Sequence, residues 1–441
     1  MVRWTAHGAR LAGVGRLSSR EQAIQFPLEQ NMVPVSLFTR MQTDVNALPT
    51  GGFDYQPRTR LVFGTNTVER VGDLARELGG RTVLVVTDRG IVTAGHALRV
   101  EHLLQAAGLG VVIYDRAHEN PSTKDIDHCV AVAKEASIDL LVGLGGGSSM
   151  DTAKGCNLIL TNGGRVHDYW GVGKATRPML PLIAIPTTAG TGSECQSAAL
   201  IADEQTHQKM ACLDPKLAAR IAILDPALTL SQPPRVTACT GIDAIAHAVE
   251  TAVTKKRNPL SQMYSREAFK LTSTNLERVL AHPLDLEARG KMLLGAAFAG
   301  LAIENSMLGA AHSTANPLTA HFNLIHGQAV GMMLPHVVRF NATEPTALRE
   351  YAELASGAEI ACVSEGLEPA CDALIARLEL LLNRCDMPRS LADCGVPRSA
   401  VPMLAAEAAR QWTAGFNPRK AKVNDFVSLY EAAFEPRGEG V

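Results

Sequence analysis

The chain predicts an α/β nucleotide-binding domain with a parallel sheet, followed by an all-α domain. Three observations predict it. Short β-branched runs alternate with helical periods up to about residue 230, and the glycine turn Gly145-Gly146-Gly147 joins one of those runs to a helix. Beyond Gln232-Pro233-Pro234, strand-like runs give way to Ala- and Leu-rich segments with helical spacing. Alternating strands and helices imply βαβ units with right-handed crossovers. The 441 residues allow two or three domains. The expected division is an extension over 1–50, a dinucleotide-binding domain over 51–230 and a helical domain over 231–441.

The first twenty residues carry four arginines and no acidic side chain, and residues 1–50 read as a poorly ordered extension. Regular structure is expected from Phe53. A helix over 68–78 is closed by Gly79-Gly80, and 81–88 is a β-branched run of the kind buried in a parallel sheet. A strand over 108–114, a helix over 126–136 and a strand over 138–144 follow. That last strand runs into the glycine turn. Without a Cβ the backbone can approach a ligand closely. Ser148 or Ser149 is expected to cap the next helix, whose first amides and dipole then form a pyrophosphate seat. The spacing is neither G-x-G-x-x-G nor G-x-x-x-x-G-K-[ST], so the flanking strand and helix carry the inference. Asp88, at a strand end, suits a ribose hydroxyl and repels a ribose phosphate, which favours NAD over NADP. A second loop, Pro186-Thr187-Thr188-Ala189-Gly190-Thr191-Gly192-Ser193-Glu194, offers further short donors.

Helices are expected over 236–254, 260–280, 286–312, 346–355, 366–384 and 399–411. Asn316-Pro317 is expected to break the segment carrying His312 and start a new helix. Asp243 and His247, four residues apart, share one helix face. With His312 and His326 they supply one carboxylate and three imidazoles, a donor set suited to a divalent transition metal. His321, His336, His167 and His207 are read as structural or surface residues. Neither Cys156 nor Cys195 has a base beside it in sequence.

Composition narrows the function classes. A net charge of −2 gives no footprint for nucleic acid or an anionic membrane, and the richest apolar run is too short to span one. Nine scattered cysteines without a C-x-x-C pair suit a reducing, cytoplasmic setting.

GGGSSMDTAK at 145–154, PTTAGTGSE at 186–194, GIDAIAHAVE at 241–250 and the histidine pair ending at His326-Gly327 resemble the iron-containing (group III) alcohol dehydrogenase family, with its dehydroquinate synthase-like fold. The resemblance runs from about Phe53 to the C-terminus. It implies an NAD-linked alcohol dehydrogenase or carbonyl reductase, with Asp243, His247, His312 and His326 as catalytic metal ligands. Iron(II) is the expected metal, and Zn(II) is compatible with the donors. The resemblance further assigns Asp88, Asn120, Gly146, Gly147, Ser148, Asp151, Thr187, Thr188, Thr191 and Lys209 to the cofactor. A homo-oligomer acting on a small alcohol, aldehyde or hydroxy acid is expected, with no nucleic-acid or membrane partner. The chain departs from many members at Asn316, where they carry a histidine. An amide hydrogen-bonds but exchanges no proton near neutral pH. A hydroxyacid–oxoacid transhydrogenase, another metal- and NAD-dependent enzyme of this fold, and a non-catalytic nucleotide-binding protein are the alternatives.

Overall fold

The computed structural model describes residues 52–205 and 208–436; the expected extension over 1–50 and His207 lie outside the described residues. Nine strands occur among the described residues: β1 (Arg60–Phe63), β2 (Thr82–Val86), β3 (Gly110–Tyr114), β4 (Leu140–Gly145), β5 (Gly171–Val172), β6 (Leu182–Pro186), β7 (Ala198–Ala202), β8 (Lys209–Leu213) and β9 (Ile221–Leu224). Six of them form one sheet in the order β1-β9-β6-β4-β2-β3, every neighbour parallel. Leu84 and Val86 of β2 face one core while Val83 and Val85 face the other. Burial on both faces is why these strands read as unbroken apolar runs.

Between the strands lie α1 (Val71–Glu77), α2 (Arg89–Thr93), α3 (His96–Ala106), α4 (Thr123–Glu135) and α5 (Gly147–Asn162). From β2 the chain moves outward to β3, then returns to place β4 on the other side of β2. The order therefore reverses between β2 and β4, and a crevice opens at the carboxyl ends of strands at such a switch point. Asp88 follows β2 and the glycine turn follows β4, so both motifs meet there. A smaller sheet, β5-β8-β7, pairs β8 antiparallel to β7 and parallel to β5.

The rest is helical: α6 (Pro234–Val253), α7 (Pro259–Ala281), α8 (Leu286–Asn305), α9 (Ala310–Phe322), α10 (His326–Asn341), α11 (Pro345–Gly357), α12 (Leu367–Arg384), α13 (Val401–Ala408) and α14 (Val423–Ala432). No single described helix is long and apolar enough to cross a membrane. Helix α6 is the axis of this region, with nearly all of Thr237 to Val253 buried. A helix buried all round holds its polar side chains in the interior, where they need partners. Asp243, His247 and Glu250 are the ionisable ones among them.

Two expectations are corrected here. The helix expected over 286–312 ends at Asn305, and α9 starts afresh at Ala310. The expected break at Asn316-Pro317 does not occur, because α9 runs through Pro317. Proline deletes one helical hydrogen bond, and burial of its ring keeps the segment packed. His312 therefore sits in the first turn of a helix rather than at the end of one.

Candidate metal and dinucleotide site

Helix α6 presents Asp243 and His247 one turn apart; the first turn of α9 brings His312, and α10 begins at His326. Asp243 Oδ1 lies 3.5 Å from His247 Nε2, 3.5 Å from His312 Nε2 and 3.9 Å from His326 Nε2. Two donors each bound at about 2.1 Å to one tetrahedral ion stand roughly 3.4 Å apart, so the first two separations suit a shared cation. Donor atoms of Asp243, His247 and His312 all lie within 4.8 Å of one another; His326, half-buried, closes the set more loosely. The His247 and His312 rings stack at 4.8 Å, and His312 and His326 are 5.4 Å apart.

Asp243 Oδ1, His247 Nδ1, His312 Nε2 and His326 Nδ1 are buried without a hydrogen-bond partner. Buried polar atoms are normally paired, so the orphaned Asp243 Oδ1 and His312 Nε2, 3.5 Å apart, fit a cation held between them. The orphaned nitrogens of His247 and His326 are the ones less close to Asp243. Burial pushes the Asp243 carboxyl up, but His247, His326 and His312 together hold it well below the usual carboxylate range. Burial lowers His247 and takes His326 down to about 3. Burial also lowers His312, but the Glu250 and Asp243 carboxylates together outweigh it and raise the ring to about 9. His247 and His326 are kept neutral by their burial, as a metal site requires, and a bound cation would displace the second proton of His312.

At the switch point, Gly145 has φ +141°, and a Cβ there would stand 2.5 Å from Ser149 Oγ. Only glycine fits. The expected serine cap is corrected: Gly146 is the N-cap of α5 and has no side chain to offer. Ser149 Oγ instead donates to Asp88 Oδ2 at 3.3 Å, and Ser148 Oγ accepts from Asn120 N at 3.4 Å. The first amides of α5 are thus left facing the turn, as an anion seat requires. Asp88 Oδ1 caps α2 by accepting from Ile91 N, so this carboxylate both starts a helix and faces the glycine turn.

The second loop closes over the first. Thr187 N donates to Gly145 O at 3.0 Å. Thr188 and Thr191 flank Gly146 and Gly147, where an added Cβ would meet their methyl groups at 3.6 and 2.8 Å. Lys209 Nζ donates to Asn120 Oδ1 at 3.2 Å, and Ser193 Oγ donates to Asp151 Oδ1 at 3.1 Å. Of the ten expected cofactor residues, Gly146, Gly147, Ser148 and Asp151 lie on the first loop and the helix it opens, and Thr187, Thr188 and Thr191 on the second. Asp88, Asn120 and Lys209 come from three other segments joined to the first loop or to one another by hydrogen bonds.

Two buried side chains escaped the sequence reading. Lys154 is fully buried and donates to Ser193 O, Ser193 Oγ, Gln196 O and Ala198 O at 2.6–3.0 Å. Glu250 accepts from His312 Nδ1 at 2.5 Å and from Ala311 N at 2.6 Å. Of the remaining histidines, His321 pairs with Glu407 and His167 with Asp203. Cys156 and Cys195 are buried, and burial pushes the Cys195 thiol far up. Asn316 Nδ2 donates to Gln411 Oε1 at 3.1 Å.

The approach of α10 to α6 depends on Gly327. A Cβ there would stand 2.0 Å from Cys239 O and 3.3 Å from Asp243 Cβ. Gly327→Ala is expected to push the first turn of α10, and His326 with it, away from Asp243. Metal affinity measured against a competing chelator should fall by about tenfold, with NAD binding by fluorescence unchanged. Unchanged metal affinity would mean that His326 is not held by this contact.

The family model for iron-containing alcohol dehydrogenase matches residues 57–226, and that for the C-terminal part of the Fe-containing alcohol dehydrogenase family matches 237–434. NAD-dependent methanol dehydrogenase from Bacillus methanolicus is 34% identical over 374 residues, covering 84% of this chain and 97% of that protein. Lactaldehyde reductase from Escherichia coli (strain K12) is 33% identical over 374 residues, covering 84% and 97%. A crystal structure of 1,3-propanediol oxidoreductase superposes with TM-score 0.84 at 31% identity, covering 87% of this chain and 100% of that one.

Proposed function

Because the chain belongs to the iron-containing alcohol dehydrogenase family, and is with it an NAD-dependent oxidoreductase of alcohols and their carbonyl counterparts, we propose that Asp243, His247, His312 and His326 hold one divalent cation beside an NAD on the glycine turn. The observation that carries this reading is the buried cluster of Asp243, His247 and His312, whose donor atoms lie within 4.8 Å of one another with Asp243 Oδ1 and His312 Nε2 unpaired. Iron(II) is the family's metal, and the same donors accept Zn(II). Residues 51–230 serve as the nucleotide domain and 231–441 as the metal domain, in a reducing, cytoplasmic setting.

When bound, the cation supplies Lewis acidity toward an alcohol or carbonyl oxygen, and the nicotinamide supplies the hydride acceptor or donor. The chain's own residues position and select. The free amides at the start of α5, flanked by Gly146, Gly147 and Ser148, receive the pyrophosphate. Asp88 accepts from a ribose hydroxyl and disfavours a ribose phosphate. Asn120, Lys209 and Asp151 order the cofactor side of the cleft, while Thr187, Thr188 and Thr191 close the second loop over it. Asn316 stands one turn beyond His312 on α9, where its amide, held by Gln411 at 3.1 Å, would border a substrate at the metal. It orients a hydroxyl or carboxylate but relays no proton. The substrate class is a small alcohol, aldehyde or hydroxy acid.

The test is metal analysis of the purified protein, then an NADH-linked screen of alcohols, diols, aldehydes and hydroxy acids with added Fe(II) or Zn(II). Turnover dependent on both metal and NAD is expected. Turnover that appears only with an oxo-acid acceptor, without net NADH, would replace this reading with a transhydrogenase. Absence of metal and of turnover under every condition would overturn it.

A further inference from the structure

Helix α9 begins without a cap of its own. Its N-cap is Gly309, and the first amides of a helix need acceptors from elsewhere. Two remote side chains provide them. Ala310 N donates to Asn417 Oδ1 at 3.2 Å, and Ala311 N donates to Glu250 Oε1 at 2.6 Å. The other oxygen of that same carboxylate accepts from His312 Nδ1 at 2.5 Å. Glu250 is buried and lies on α6, seven residues and two turns beyond Asp243. One group therefore joins the helix carrying two candidate ligands to the helix carrying a third.

We infer that Glu250 is the positioning residue of the metal site, fixing which nitrogen of His312 carries a proton and where the other one points. This rests on the metal reading proposed above. A carboxylate is an acceptor only, so the ring nitrogen facing it is the one bearing hydrogen. In the neutral ring that a metal binds, the lone pair is then confined to Nε2, which lies 3.5 Å from Asp243 Oδ1 with no hydrogen-bond partner. A carboxylate behind a ligand histidine also makes the ring a stronger donor to a metal.

Glutamine is the informative replacement. It has the shape of glutamate but only one acceptor oxygen, while Ala311 N and His312 Nδ1 both donate. If the amide oxygen serves Ala311, its NH2 faces His312 Nδ1, which must then accept, and the proton moves to Nε2. If the oxygen serves His312, two donors collide at Ala311. Neither orientation preserves both the helix start and the metal-facing lone pair.

The experiment is Zn(II) affinity by chelator competition for the wild type, Glu250→Gln, His312→Ala, the double variant and Asn417→Ala. Glu250→Gln should weaken binding 10- to 100-fold relative to wild type, on the order seen for such supporting carboxylates. In the His312→Ala background the same change should cost less than about twofold, because its target is gone. Asn417→Ala removes the neighbouring helix-start acceptor and should weaken binding far less than Glu250→Gln. Equal losses with and without His312, equal losses in Asn417→Ala, or no loss would overturn the inference while leaving the metal reading intact. A wild type that takes up no metal would overturn both. Should Glu250→Gln fail to fold, the zinc-loaded wild-type crystal structure decides. His312 must meet the ion through Nε2 with Glu250 on Nδ1; coordination through Nδ1, or by Glu250 itself, contradicts the inference.

Discussion

Asp243→Asn should give a folded protein that binds NAD but retains no divalent cation. Asp243 Oδ1 is the point on which His247, His312 and His326 converge, at 3.5, 3.5 and 3.9 Å. The amide keeps the side chain's shape and removes its charge, leaving the three imidazoles without an anion between them; of these rings Glu250 touches only His312, at Nδ1. Losing the cation forfeits several kcal/mol of transition-state stabilisation. At about 1.4 kcal/mol per tenfold, turnover should drop by on the order of 10³ or more. Metal content by mass spectrometry, NAD binding by fluorescence and kcat on the best substrate check the three parts separately. Full metal content with normal kcat would remove Asp243 from the site. Loss of NAD binding as well would point to a collapsed cleft instead.

The second large effect concerns stability. Lys154→Met should destabilise the protein by roughly 4 kcal/mol, counting several buried acceptors at about 1–3 kcal/mol each when left unpaired. Lys154 is fully buried, and its ammonium ties Ser193, Gln196 and Ala198 to α5. Burial pulls its pKa down, while Asp151, Glu304 and Glu194 oppose that pull. Methionine fills the space and donates nothing. The second loop, which packs Thr191 against Gly147, should loosen, and NAD affinity should fall by about tenfold, or 1.4 kcal/mol. Denaturant unfolding and NAD titration measure the two effects. Wild-type values in both would mean that the loop holds its place without this tie.

What could be read from the sequence follows physical range. Asp243 and His247 were legible because their spacing alone puts them on one helix face. The glycine turn was legible because a strand before it and a helix after it are local patterns. Glu250 stood in the same string, GIDAIAHAVE, but its partners lie some sixty residues away at the start of α9, and no spacing reports that. Lys154 ended the first motif, yet a lysine is read as exposed unless its neighbours are known. Its signal was the helix around it, Ser149 to Ile159, buried at every position but Asp151. The Pro317 reading failed because one missing hydrogen bond is a local cost that burial of the ring offset. The true break, over 306–309, carries no proline. The small sheet was missed because β5 pairs with β8, some forty residues on, and such pairing leaves no periodic trace.

The most direct measurement is anomalous diffraction at the metal edge from crystals of the protein loaded with Fe(II) or Zn(II) and NAD. The account predicts one anomalous peak, about 2.0–2.2 Å from a carboxylate oxygen of Asp243 and from one nitrogen each of His247, His312 and His326. A peak elsewhere, or an ion that leaves Asp243 and these imidazoles uncoordinated, would contradict it.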